Sequence, residues 1–66
     1  MTKKLFKNGE LVYEGVFKEL FIEGRTIVII FGDNEHNEFI DSYDDFYLFP
    51  NEIRFYDISN NIYELI

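Results

Sequence analysis

Turn-forming residues punctuate this chain at intervals of about ten residues, a spacing that accommodates short antiparallel strands and leaves little room for helices. Asn8-Gly9, Glu23-Gly24, Gly32, Pro50-Asn51 and Ser59-Asn60-Asn61 mark the breaks. An Asn-Gly pair between apolar residues is the strongest local hairpin signal, because both residues tolerate the positive φ of a type I′ turn. Strands are expected at about 3–7 and 11–22, with Gly15 marking a bulge or sharp bend inside the second. Arg25 to Phe31 is dense in β-branched residues and apolar on both faces, which predicts a central strand covered on both sides. A polar loop over 33–38 follows, and the chain closes with a hairpin of Ile53–Ile58 and Ile62–Ile66.

The segment from Phe39 to Phe49 fits two patterns. Phe39, Tyr43, Phe46 and Tyr47 fall on helical spacing, whereas Phe39, Tyr43, Tyr47 and Phe49 share one side of an alternating pattern. Strand with a turn is the preferred reading, and a short helical turn near 41–47, capped by Asp41 or Ser42, is the alternative. Together these elements predict an all-β fold: one domain over residues 1–66, an antiparallel meander of five to seven short strands curled into an SH3-like or OB-like barrel.

A chain of 66 residues buries only about 60% of the surface its unfolded form exposes, so it needs a heavy core or a partner. It has no cysteine, which removes disulfides and thiolate–metal sites and fits a reducing cytosol, so a cytoplasmic location is expected. No apolar run is long enough for a membrane span. Eight phenylalanines and five tyrosines dominate the apolar content. Each aromatic ring can bury roughly 150–250 Å², more in sum than so small a core accommodates, so some are expected at a subunit or partner interface.

The charge is as uneven as the aromatic content is high. Thr26 to Ile53 holds no lysine or arginine across 28 residues and contains Asp33, Glu35, Glu38, Asp41, Asp44, Asp45 and Glu52. These seven carboxylates account for the whole formal net charge of −7, since the remaining charges balance. A localised negative field attracts cationic partners.

Four kinds of chemistry bear on this inventory. Asp33-x-Glu35-x-Asn37 begins like a calcium loop, but Glu38 stands where the sharp turn needs glycine and Asp44 where a bidentate glutamate belongs, so a solvated acidic loop is expected. His36, the sole histidine, has no cysteine or second histidine to complete a metal site and reads as an exposed loop residue. Ser42 and Ser59 have only His36 as a base, and no catalytic site or cofactor is expected. Aromatics suited to stacking bases are present, but six dispersed cations cannot form a groove that tracks a nucleic-acid backbone. Direct nucleic-acid binding is therefore not expected.

The inverse arrangement fits better. Carboxylates from Asp33 to Asp45, at a strand rise of about 3.3 Å per residue, lie at intervals comparable to backbone phosphates. Such a surface can occupy the cationic groove of a nucleic-acid-handling protein. In composition, short, acidic, cysteine-free, aromatic-rich and heavy in Ile, Asn and Lys, the chain is similar to small early proteins of bacteriophages that infect low-GC bacteria. This resemblance implies an inhibitor of a host or defence protein. The expected contacts are Asp33, Glu35, Glu38, Asp41, Asp44 and Asp45 as a charged rim, with Tyr43 and Tyr47 as anchors. The rival expectation is a homo-oligomeric module, structural or enclosing a small ligand, built on the surplus aromatics. Acidity that serves only solubility is the plainest reading of the same residues.

Overall fold

The structure, a computed structural model, describes residues 1–32 and 35–66. Seven strands carry the fold: β1 Thr2–Lys7, β2 Glu10–Glu23, β3 Thr26–Phe31, β4 Asn37–Ile40, β5 Tyr43–Phe49, β6 Glu52–Asp57 and β7 Ile62–Leu65. All pairings are antiparallel, and the sheet runs β4-β3-β2-β1-β7-β6-β5, curled into a half-barrel. The all-β, barrel-like architecture is the one the turn spacing predicts. Every strand pairs with its sequence neighbour except β4 with β5. Continuity comes instead from β1 pairing with β7, Leu5 opposite Leu65.

The turns explain the register. Asn8 and Gly9 have φ of 52° and 83°, both positive as a type I′ hairpin requires. Asn8 does more than turn the chain. Its N–H donates to Ile62 O at 2.7 Å, its Oδ1 accepts from the Ile62 N–H at 2.8 Å, and its Nδ2 donates to Asn61 Oδ1 at 2.9 Å. The first hairpin is thereby tied to the β6–β7 turn. That turn is itself held by Asp57, whose Oδ1 accepts from the Ser59 and Asn61 N–H groups, both at 2.9 Å. Its Oδ2 accepts from Asn61 Nδ2 at 2.8 Å and from the Tyr63 hydroxyl at 3.3 Å.

β2 is the strand that curls the sheet. Its first half pairs with β1 and its second half, from Phe17, pairs with β3. Gly15 lies buried between two irregularities of register, one leaving Val12 unmatched and the other Lys18, so the bend expected at Gly15 is produced by the bulges that flank it. A third irregularity leaves Asp44 unmatched in β5. Tyr43 packs towards the core, yet Tyr47 and Phe49, at even spacing from it, lie on the outer face because the bulge reverses the alternation. Residues 43–49 are strand, which decides against the helical turn. The polar loop is shorter than the expected 33–38, because Asn37 and Glu38 already pair with Ile30 and Ile29 in β4.

The core consists of Leu5, Ile27, Ile29, Phe31, Ile40, Phe55, Tyr63 and Leu65, with Tyr13, Phe17, Leu20, Tyr43, Phe46 and Ile53 packed against it. β3 contributes most, as a strand bonded on both sides should. Each fully buried side chain of this size contributes roughly 1.5–3 kcal/mol by leaving water. Aromatic contacts order the two ends: Tyr13 lies 4.7 Å from Phe31, and Phe55 stacks on Tyr63 at 5.1 Å with rings 8° from parallel. Only Phe31, Phe55 and Tyr63 of the thirteen aromatics are buried.

Candidate functional site

The lysine- and arginine-free stretch does not make one acidic surface; its described carboxylates lie in four places. Asp33 lies outside the described residues. Glu35 is exposed beside Lys18, Ile30 and Asn37.

Glu38 turns inward, contrary to its expected place on a charged rim. Its partner Ile29 is a core residue, so the pairing sets Glu38 on the inner face of the half-barrel. There its carboxylate pairs with His36 Nε2. The imidazole stacks on Tyr13 at 3.8 Å with the rings 2° from parallel. His36 is accordingly half-buried and engaged, rather than an exposed loop residue. Across the interior, burial pushes the Tyr63 phenol above its usual range, with Asp57 next in effect and Glu38 adding to it.

Asp41 stays on an outer face, accepting a hydrogen bond from Thr26 Oγ1 at 2.8 Å. It borders a row across β2, β3 and β4 formed by Phe21, Val28 and Phe39, in direct register. Phe39 is 63% exposed at the edge of this row. Tyr43, expected as an anchor, is instead half-buried against the core, with the Arg25 guanidinium 5.9 Å from its ring centre. It holds the start of β5 against the β2–β3 turn.

The remaining candidates do come together. Asp44, Asp45 and Tyr47 line a shallow cleft of about 430 Å³ on the outer face of the β5–β6 hairpin, with Phe49, Arg54, Tyr56 and Asn60. The register Asp45–Tyr56, Tyr47–Arg54, Phe49–Glu52 sets these side chains opposite one another. Tyr47 meets Tyr56 edge-on at 6.1 Å and lies 6.4 Å from Phe49. The Arg54 guanidinium sits 5.4 Å from the Phe49 ring centre and is shared between Glu52 at 3.1 Å and Glu64 at 3.6 Å. Glu52 hydrogen-bonds Glu64 and so raises the Glu64 carboxyl above its ordinary value, helped by burial and opposed by Arg54. No described cation pairs with Asp44 or Asp45.

Phe49, Arg54, Tyr56 and Asn60 were not among the candidates. The first three were within reach of the sequence, because a two-residue turn at Pro50-Asn51 pairs residue 49 with 52, 47 with 54 and 45 with 56. Asn60 follows only from the Asp57-capped turn, where its φ is 64°.

The cleft is open and holds no histidine or serine. Among the described residues no cluster of three or more histidines and carboxylates could hold a metal ion, and no helix is long and apolar enough to cross a membrane. Comparison of the chain with protein-family models, with curated proteins and with solved structures finds no match in any of the three.

Proposed function

We propose that this protein is a non-enzymatic binding module that docks on a cationic surface of a protein partner through the outer face of β5 and β6. The observation that carries the reading is the juxtaposition of Asp44 and Asp45, which no described cation neutralises, with the exposed rings of Tyr47 and Phe49. Aromatic anchors flanked by free carboxylates are the composition by which a small protein holds a basic surface, the rings giving residence time and the charges the rate of encounter. A partner whose own ligand is a polyanion, such as a nucleic-acid-handling or defence protein, is the class that such a face would inhibit by occupying its groove. Tyr47, Asp44 and Asp45 carry the contact, Phe49 and Tyr56 widen it, and Glu38 and Tyr43 take no part.

The test is capture from cell lysate at low and high salt with the wild-type protein and D44K/D45K. Partners retained by the wild type, lost with the variant and weakened by salt support the reading. A partner set insensitive to both changes overturns it.

A second reading rests on a different observation, the exposed Phe39 beside Phe21 on the β2–β3–β4 face. That face would serve a homo-oligomer. Light scattering at low micromolar concentration separates the two readings, since a stable dimer abolished by F39K places self-association there.

A further inference from the structure

The free edge of β5 adds something that its outer face does not. Alternate residues of an antiparallel strand direct their N–H and C=O groups to opposite sides. In β6 the Asp57 N–H bonds to Asn61 O on the β7 side, and the following Ile58 N–H bonds to Ser42 O on the β5 side. Tyr56, Arg54 and Glu52 therefore face β5, and their partners Asp45, Tyr47 and Phe49 direct their own backbone groups to β6. Phe46 and Leu48 direct theirs to the free edge.

Tyr43 shows what pairing on this edge looks like. Its N–H bonds to Arg25 O at 3.1 Å, and its C=O accepts from Arg25 Nη2 at 2.9 Å. Beyond Tyr43 the pairing stops, since β5 is the last strand of the sheet and packs closely only on β6. Exposed edges are normally blunted by charge, proline or a bulge. Here the bulge at Asp44 and Pro50 sit at the two ends, and between them the residues that direct their backbone to the edge are the apolar Phe46 and Leu48, Leu48 being 73% exposed.

We infer that the β5 edge is a strand-addition site that takes an extended segment of the partner protein, alternating lysine or arginine with apolar residues. The inference rests on the reading of β5 as the partner-facing strand. On the outer face the added strand lies beside Asp45 and Tyr47, next to the bulged Asp44, where cations meet free carboxylates and a ring. On the inner face it lies beside Phe46 and Leu48, where apolar side chains extend the core. A second copy of this chain is the poorer occupant, because it adds its own Asp44 and Asp45 and a net charge of −7 to the same face.

The test titrates the whole protein with three synthetic peptides that alternate lysine and valine: unmodified, N-methylated at the valines, and N-methylated at the lysines. In an antiparallel added strand, the residues sharing the inner face with Phe46 and Leu48 are also those whose backbone meets theirs. The unmodified peptide is expected to bind and to slow amide exchange at Phe46 and Leu48. Methylating the valines should cost on the order of tenfold or more in affinity, and methylating the lysines should cost little. Equal binding of all three peptides, or unchanged exchange at Phe46 and Leu48, overturns strand addition, and the outer-face reading survives if D44K/D45K still abolishes that binding. An unmodified peptide that does not bind also overturns the inference, and the lysate capture then decides the outer-face reading separately.

Discussion

β3, with Thr-Ile-Val-Ile-Ile-Phe, and β5, with Tyr-Asp-Asp-Phe-Tyr-Leu-Phe, are both dominated by large apolar side chains, yet four residues of β3 are buried and none of β5. β3 is bonded on both sides, by β2 and β4, and its outward Val28 is still covered by the neighbouring Phe21 and Phe39. β5 has β6 on one side and no strand on the other. Position in the sheet therefore decides which apolar strand becomes core and which is left as a surface. A chain this small has one interior, and β5, unlike the other edge strand β4 with its buried Ile40, has no residue fully inside it.

The widest separation between the two strands should appear in stability. Phe31→Ala removes a fully buried ring from β3 and is expected to cost about 3–5 kcal/mol, comparable to the whole stability of a domain of this size. Circular dichroism at 25 °C should show an unfolded or barely folded chain, and Ile29→Val, at about 0.5–1.5 kcal/mol, supplies the measurable version by urea titration.

Asp57→Ala tests the support behind β5, because Asp57 fixes the turn that leads β6 into β7. It should cost about 1–3 kcal/mol, read from the urea midpoint, as its four donors lose their acceptor. The same carboxylate predicts a pH dependence. Burial pushes its pKa up, but the Asn61 side chain, the Asn61 and Ser59 N–H groups and the Tyr63 hydroxyl together hold it below its ordinary value. Its contribution is thus present above the unfolded-state pKa and is lost as pH falls through the lower folded one. Glu64 has the opposite sign. Its raised carboxyl pKa gives stability below its ordinary value that is lost as pH rises through the folded one. Melting temperatures across the acid range should therefore show a mild rise on first acidification that Glu64→Gln removes, then a fall that Asp57→Asn flattens.

The smallest effect belongs to the edge itself. Leu48→Lys should change stability by no more than about 0.5 kcal/mol while weakening partner capture. A loss in urea titration as large as that of the β3 variants would show that β5 is core and end the comparison.

Those features that depend on neighbouring residues were legible in the sequence. The Asn8-Gly9 hairpin, the doubly covered strand ending at Phe31 and the Pro50-Asn51 turn follow from local backbone preference and side-chain pattern. The joining of β1 to β7 was not legible, because no local signal pairs Leu5 with Leu65, and the meander alone would have left both terminal strands at edges. The dispersal of the candidate carboxylates has a related reason. Reading the carboxylates along one extended strand ignored the corner at Asp41-Ser42 and the unmatched Asp44, and each of these redirects the residues after it. Ser42, with φ of 57°, turns the chain from one end of the sheet to the other, so Asp41 and Asp45 end on separate patches at opposite ends of the sheet. Glu38 was misplaced because its inward position depends on Ile29 being opposite.

The β1–β7 seam also shapes how the chain reaches this state. β1 to β4 and β5 to β7 are each runs of hairpins that can form from nearby residues, whereas the seam brings together positions some sixty residues apart. Closing a loop of that length costs roughly 3–4 kcal/mol of chain entropy, recovered only when Leu5, Leu65 and Phe55 pack in one core. The Asn8–Asn61 contact, at the end of the seam, fastens one run of hairpins to the other.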